Sequence, residues 1–253
     1  MIYNKNTQTD IERIGAETPE GVRAEYFSVI DSTNSECRRR VQNGDTRALL
    51  LVADEQTAGR GRQGKSFYSP ADTGIYFSLL LPAKDSFAPE TLTCAAAVAV
   101  CRAVEALTAL EPKIKWVNDI YIDGKKVCGI LTEALCAPSG ERFIIIGIGI
   151  NITTRDFPPG VENGGALGAD IDRNALVIAA VNNLLELLDG GEFMDFYRSR
   201  SLVTGERIRI ITKDGEVSAT AEGIEDDGAL RVMLDSGETE ILRSGEISIR
   251  KEE

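Results

Sequence analysis

The sequence predicts an α+β protein in which one mixed β-sheet flanked by helices is followed by a small all-β unit. Three observations predict it. Apolar runs of strand length, Ala48–Ala53, Ile75–Leu81 and Phe143–Ile150, alternate with helical patterns. A long segment opening at Pro89 or Glu90 is apolar nearly all round through Ala95, Ala96, Ala97, Val98, Ala99 and Val100, so its helix must be buried. After Gly205 the rhythm changes to short strands parted by turn signals at Lys213-Asp214-Gly215, Asp226-Asp227-Gly228, Asp235-Ser236-Gly237 and Ser244-Gly245. That spacing suggests a small β-barrel of about 50 residues.

Taken in order, residues 1 to about 20 show no clear period and read as a lead-in arm. Tyr26–Ile30 is a first strand. Asp31-Ser32-Thr33-Asn34 offers several N-cap residues before a helix that runs to about Asn43 and ends at Gly44. Ala48–Ala53 is a buried strand leading into a polar, glycine-rich loop over Asp54–Thr73. Lys113–Ile122 and Lys126–Ala134 form two strands joined at Asp123-Gly124, a two-residue hairpin signal. A second glycine-rich loop with Gly160, Gly164, Gly165 and Gly168 precedes a helix capped by Asp172 and ended by Gly190-Gly191.

Composition narrows the function. The chain of 253 residues is 43% hydrophobic and 27% charged, as folded soluble proteins are. Its net charge of -12 disfavours broad nucleic-acid binding, and the one local concentration of positive charge runs from Arg60 to Lys65. The longest apolar runs, Cys94–Cys101 and Phe143–Ile150, fall short of the ~20 residues a membrane helix needs. The start lacks a basic segment followed by an apolar one, so no secretory signal is expected. The five cysteines are scattered without a C-x-x-C pair, which fits reduced thiols in a cytoplasm. With no histidine, zinc-histidine sites, Ser-His-Asp triads and an imidazole base are excluded, leaving Lys, Arg, carboxylates, amides and backbone dipoles for catalysis.

Three stretches carry the chemistry. In Gly59-Arg60-Gly61-Arg62-Gln63-Gly64-Lys65, glycines allow successive N–H groups to turn toward one ligand, and guanidinium groups bind carboxylate or phosphate through paired hydrogen bonds. The order of residues is not that of a Walker A loop, and the alternative is a solvated basic turn. In Lys113–Leu131, strand alternation puts Lys126, Cys128 and Ile130 on one face, where a lysine suits a phosphate clamp. By composition alone, solvated lysines beside a hairpin turn are the leading reading there. In Gly147-Ile148-Gly149-Ile150-Asn151, two same-face glycines would let a flat ligand lie against the backbone, with tight packing as the equal alternative.

Together, the segments Asp31–Asn34, Glu55–Pro70, Gly74–Ser78, Lys115–Glu133 and Gly147–Asn151 resemble, in order and approximate spacing, the biotin protein ligase family. The resemblance runs from about residue 24 to residue 250 and includes Gly228-Ala229-Leu230 and Gly245-Glu246-Ile247-Ser248 of the family's C-terminal barrel. It implies an arm over 1–22, a biotin/lipoate ligase-like catalytic domain over 23–203 and an SH3-like β-barrel over 204–253. The implied activity joins biotin to ATP as biotinyl-5'-AMP and then passes biotin to a lysine of a biotin carboxyl carrier protein or carboxylase carrier domain.

Residue by residue, the resemblance assigns Ser32, Thr33, Asn34 and Gln56 to the biotin ring, and Arg60, Gly61 and Arg62 to the biotin carboxylate and phosphate. Lys126 is implied between carboxylate and α-phosphate, as the catalytic group with Arg62, and Gly129 lies beside biotin. Phe67, Asn118, Asp119, Asn151 and Arg250, with Arg62 and Lys126, are assigned to the nucleotide. Mg²⁺ is expected to arrive with ATP, with Asp119 as the candidate protein ligand. Val117 stands where the family usually has proline, Phe67 where tryptophan is frequent and Lys65 where arginine is frequent. The roughly 20 residues before the first strand are too few for the DNA-binding module of many relatives, so the expectation is a cytoplasmic ligase without a DNA or membrane partner. Pairing of two copies is left open. The alternatives are a lipoate or octanoate protein ligase, which Ser32, Thr33 and Gln56 disfavour, and a non-catalytic biotin or nucleotide binding module, which Lys126 with Arg62 disfavours.

Overall fold

The computed structural model describes residues 9–84, 89–161, 163–168, 170–212, 215–243 and 248–251. A seven-stranded sheet is built from β1 (Arg23–Ile30), β2 (Leu49–Gln56), β3 (Gly74–Pro82), β4 (Lys113–Lys115), β5 (Asp119–Ile122), β6 (Lys125–Cys136) and β7 (Arg142–Asn151), in the spatial order β1-β2-β3-β7-β6-β5-β4. Only β1 and β2 run parallel; the other neighbours are antiparallel, so the sheet is mixed as expected.

Both faces of the central strands are covered, which is why β2, β3 and β7 read as nearly continuous apolar runs. One face presents Leu50, Val52, Phe77, Leu79, Ile146, Ile148 and Ile150 to the core formed with α3 (Pro89–Leu107) and α4 (Arg173–Leu188). The other presents Leu49, Leu51, Leu80, Phe143 and Ile145 to Cys37 and Val41 of α2 (Thr33–Gln42). Ser32 caps α2 through its hydroxyl, and Gly44 beyond the helix has a φ of 83°, the left-handed region that glycine tolerates.

Three local expectations need correction. The arm contains a short helix, α1 (Ile11–Glu17), capped by Asp10 and held by fully buried Ile14. Seven residues are too few for a period to show, and the helix depends on tertiary partners such as Arg13 to Asp172 at 2.6 Å. Lys113–Ile122 is not one strand: the chain reverses through Trp116, Val117 and Asn118, so β4 and β5 pair with each other. The reversal is held from outside itself. Tyr197 of α5 (Met194–Ser199) donates to the Val117 carbonyl at 3.1 Å, and Asn118 donates to the Ile130 carbonyl at 2.8 Å.

The third correction concerns Lys126. The β5–β6 register shifts, pairing Ile120 with Cys128 but Tyr121 with Lys126, so Val127 is the extra residue of a bulge. Val127, Cys128 and Ile130 all enter the α3-side core, while Lys126 is displaced to the opposite face beside Gly129. Strict alternation had grouped Lys126 with Cys128 and Ile130.

The C-terminal strands β8 (Arg207–Thr212), β9 (Gly215–Ile224), β10 (Leu230–Leu234), β11 (Thr239–Leu242) and β12 (Ser248–Lys251) form a five-stranded antiparallel sheet in the order β11-β10-β9-β8-β12, consistent with an SH3-like unit. Ile208, Ile210, Ala219, Ala221, Leu230 and Val232 join the same apolar cluster as Ile114 and Trp116. The Trp116 indole donates to the Gly228 carbonyl at 2.9 Å, tying the β9–β10 turn to the β4–β5 reversal.

Candidate active site

A cavity of 560 Å³ opens on the α2 side of the large sheet. Its wall includes twelve of the residues expected from the sequence: Ser32, Thr33, Asn34, Gln56, Arg60, Gly61, Arg62, Phe67, Asn118, Asp119, Lys126 and Gly129. Two expected residues stand elsewhere. Asn151 is outside the wall, where its side-chain N–H donates to the Gly165 carbonyl at 3.0 Å and its buried Oδ1 has no partner among the described residues. Arg250 lies on β12, paired with Arg209, and its side chain is outside the described residues.

One end of the cavity is a buried polar cluster. Gln56 Oε1 accepts from the Thr33 N–H at 2.9 Å and lies 3.1 Å from its hydroxyl, and Gln56 Nε2 donates to Ser69 at 3.0 Å. Ser78 Oγ is 2.6 Å from both Thr33 Oγ1 and Asn34 Oδ1. Ser32, Thr33, Asn34, Ser69 and Ser78 are all buried, so their polar groups need each other or a ligand. Ser78 was not foreseen. A single serine in the apolar run Gly74–Pro82 was the available signal.

The other end is cationic. The loop Gly59–Lys65 folds back on itself, with the Gly61 N–H donating to the Lys65 carbonyl at 2.7 Å and the Phe67 N–H to the Gly59 carbonyl at 2.9 Å. It reaches two walls at once: Arg60 pairs with Glu133 at 3.0 Å, and Arg62 donates to Asn118 Oδ1 at 3.1 Å. Burial pulls the Arg62 guanidinium below its ordinary pKa, and attraction from Asp119 partly offsets this. Lys126 Nζ lies 2.6 Å from Asp119 Oδ1 and 6.0 Å from the centre of the Phe67 ring. Lys65 and Lys115 also border the cavity, and among the described residues the carboxylate in its lining is that of Asp119. In a chain of net charge -12, such a wall selects anions.

Of the two readings open for the glycines of β7, close packing is the one their contacts match, and both glycines also border the cavity. Gly149 pairs with Gly129 on β6 and with Tyr76 on β3. The Phe67 ring lies over both glycines and meets Tyr76 edge-on, with centroids 6.4 Å apart. The Asn34 amide fills the space above Gly147. The flat groups against this backbone are thus the protein's own, and they form the cavity floor. The Lys126 N–H donates to the Asn163 carbonyl at 2.7 Å and the Lys126 carbonyl accepts from the Gly165 N–H at 2.9 Å, which holds the backbone of Lys126 from its other edge.

Among the described residues no group of three metal-ligating side chains converges. Asp119 is the carboxylate within the wall, and Lys126 is its partner there. Ile211 of the C-terminal sheet also lines the cavity, a contribution with no signal in the sequence.

A model of the Biotin/lipoate A/B protein ligase family matches residues 26–151, and a model of the Biotin protein ligase C terminal domain matches residues 203–250. The chain is similar to the bifunctional ligase/repressor BirA of Bacillus spizizenii, at 35% identity over 84% of this chain and 70% of that one. It is also similar to the biotin--[acetyl-CoA-carboxylase] ligase of Mycobacterium tuberculosis, at 32% identity over 85% of each chain. Among solved structures, the biotin protein ligase from Aquifex aeolicus in complex with biotin and ATP superimposes with a TM-score of 0.78 at 29% identity, covering 91% of this chain and 99% of that one.

Proposed function

The chain belongs to the biotin protein ligase family, and from that premise we propose how its cavity performs the family's two-step reaction. The protein is an ATP-dependent biotin protein ligase. A biotin carboxylate oxygen attacks the α-phosphorus of ATP, giving biotinyl-5'-AMP and pyrophosphate. A lysine amine of the acceptor then attacks the acyl carbon, forms the amide and releases AMP.

The observation that carries the assignment of roles is the polarity of the cavity, hydroxyls and amides at one end, Arg62 and Lys126 at the other, and Arg60 between them through its Glu133 partner. The ureido ring of biotin has two N–H donors and a carbonyl, which Ser32, Thr33, Asn34 and Gln56 can meet; a plain acyl chain would offer these buried polar groups no partner beyond one another. Lys126, at the cationic end, is assigned to the meeting point of the carboxylate and the α-phosphate. Negative charge grows on non-bridging oxygens in the transition state, so a fixed ammonium and guanidinium lower the barrier without reorganising at the moment of reaction. Asp119 orients Lys126 until the phosphate replaces it as counter-ion. Neither step needs a protein nucleophile, which suits a chain without histidine.

Phe67, Asn118 and Asp119 border the cationic end and are assigned to the nucleotide. Asn151, outside the wall with no partner for its Oδ1 among the described residues, and Arg250 are assigned to it as well on the resemblance to the family. Mg²⁺ would enter on the triphosphate, neutralising phosphate charge, with Asp119 as its protein ligand. The acceptor is a biotin carboxyl carrier domain, approaching from the open side of the cavity. Four buried thiols and one exposed thiol, all free, fit the reducing cytoplasm as the site of action.

Biotin-dependent exchange of labelled pyrophosphate into ATP tests this reading, because it needs no acceptor. Wild type exchanges with biotin and not with lipoate. Lys126→Ala lowers the rate about 10²- to 10³-fold, the usual effect of removing one preorganised donor, while biotin binding persists. Equal loss of binding and exchange would make Lys126 structural; exchange with lipoate instead would move the acyl assignment.

A further inference from the structure

Glu133 follows Gly129 and Leu131 on the cavity face of β6, since strand residues two apart share a face. Its side chain is only 14% exposed, so its charge requires partners. Three side chains supply them. Arg60 grips both oxygens, at 3.1 Å to Oε2 and 3.0 Å to Oε1. Arg38 of α2 lies 2.9 Å from Oε1. Asn34 Nδ2 donates to Oε2 at 2.9 Å.

The last contact fixes the orientation of the Asn34 amide. Both neighbours of Nδ2, the Glu133 carboxylate and the Leu131 carbonyl at 3.3 Å, can only accept. Oδ1 therefore turns to the Ser78 hydroxyl, which also touches Thr33. Through Arg60 the same carboxylate anchors one side of the glycine-rich loop.

We infer that Glu133 is a positioning residue for the biotin end of the cavity, acting through Asn34 and Arg60. This rests on the ligase reading above. The carboxylate sets which way the Asn34 amide lies, and it holds Arg60 with three of its five N–H groups left over for the incoming biotin carboxylate. A glutamine of the same shape loses the charge and keeps one acceptor where the carboxylate has two, so its N–H must face either Asn34 Nδ2 or the arginines, and the joint hold on Asn34 and Arg60 is lost without a cavity being made.

Pyrophosphate exchange with biotin and ATP titrated separately tests the inference. Glu133→Gln raises the KM for biotin at least about tenfold, the weak end of a charge-assisted hydrogen bond, and leaves the KM for ATP within about twofold. Arg38→Leu removes a Glu133 partner that lies outside the cavity wall and keeps the biotin KM within about twofold, as for a partly exposed ion pair. An unchanged biotin KM in Glu133→Gln, or biotin and ATP KM values rising together with a lower thermal midpoint, would overturn the positioning role. Should the glutamine variant not fold, Glu133→Asp, whose shorter arm cannot span Asn34 and Arg60, separates the same outcomes through the same two KM values. The wild-type curve reports on the ligase reading separately: no biotin-dependent exchange there overturns both.

Discussion

Replacing Gly149 with alanine puts a methyl group where the Phe67 ring lies. The added Cβ would meet ring atoms Cζ and Cδ1 at 2.9 and 3.0 Å, and Cε1 closer still. Carbon contacts are most favourable at about 3.5–4.0 Å, so the ring must withdraw by about 1 Å. It has little freedom to do so. Gly129 lies beneath the same ring, Tyr76 meets its edge, and the Phe67 N–H is bonded to the Gly59 carbonyl. Overpacking of this kind costs about 1–3 kcal/mol, whereas exchanging glycine for alanine in an unstrained backbone stabilises by about 0.4–1 kcal/mol through the unfolded chain. The clash wins, and Gly149→Ala is destabilised by about 1–2 kcal/mol net. Urea unfolding reads this as a lower midpoint at unchanged slope. In a Phe67→Ala background the methyl finds room, so the double variant is more stable than the sum of the single effects by about 1 kcal/mol or more. A Gly149→Ala protein as stable as wild type, or strictly additive effects, would refute the claim that the paired glycines exist to seat this ring.

Amide hydrogen exchange across Gly59–Lys65 should slow when biotin and ATP are both added, because a mixed acyl phosphate needs a lid that excludes water; equal protection with and without ligands would contradict this. Hydrogen bonding from Arg47, then from Arg23, lowers the Asp45 carboxyl to about 2. A depressed carboxylate stabilises the fold above its unfolded pKa of about 3.9 and loses that contribution as pH falls through the folded value. Asp45→Asn should therefore be less stable at neutral pH and flatter between about pH 4 and 2; an acid limb identical to wild type would refute it. Burial raises the thiols of Cys37, Cys101 and Cys128, and Cys94 is buried too, whereas Cys136 is exposed. Mass spectrometry after iodoacetamide treatment should find Cys136 alone modified in the native protein and all five cysteines modified in denaturant, and native labelling of Cys128 would contradict the structure.

Much of the site was legible because its parts are local motifs. The Ser32 cap, the glycine and arginine pattern of 59–65 and the Asp123-Gly124 turn each follow from neighbours within a few residues; both turn residues have positive φ, 49° and 73°. Glu133 and Ser78 were less visible. A strand glutamate is ordinarily solvated, and only the approach of Arg38, Arg60 and Asn34 makes this one structural. Ile211 reaches the cavity from a sheet that begins more than 70 residues after β6 ends, a proximity that local pattern cannot encode.

By itself, the sequence determined most of the sheet-forming segments and the buried α3, since periodicity, caps and glycine placement act along the chain, and its resemblance to the family named the residues brought to one cavity. The tertiary structure decided their faces. Lys126 points into the cavity because pairing with β5 inserts Val127 as a bulge, and a one-residue shift reverses the side on which every preceding side chain falls. Gly129 and Gly149 accept the Phe67 ring because antiparallel register sets them side by side. Strand register is settled by hydrogen bonds and packing between distant segments, and so it exists only once the chain has folded.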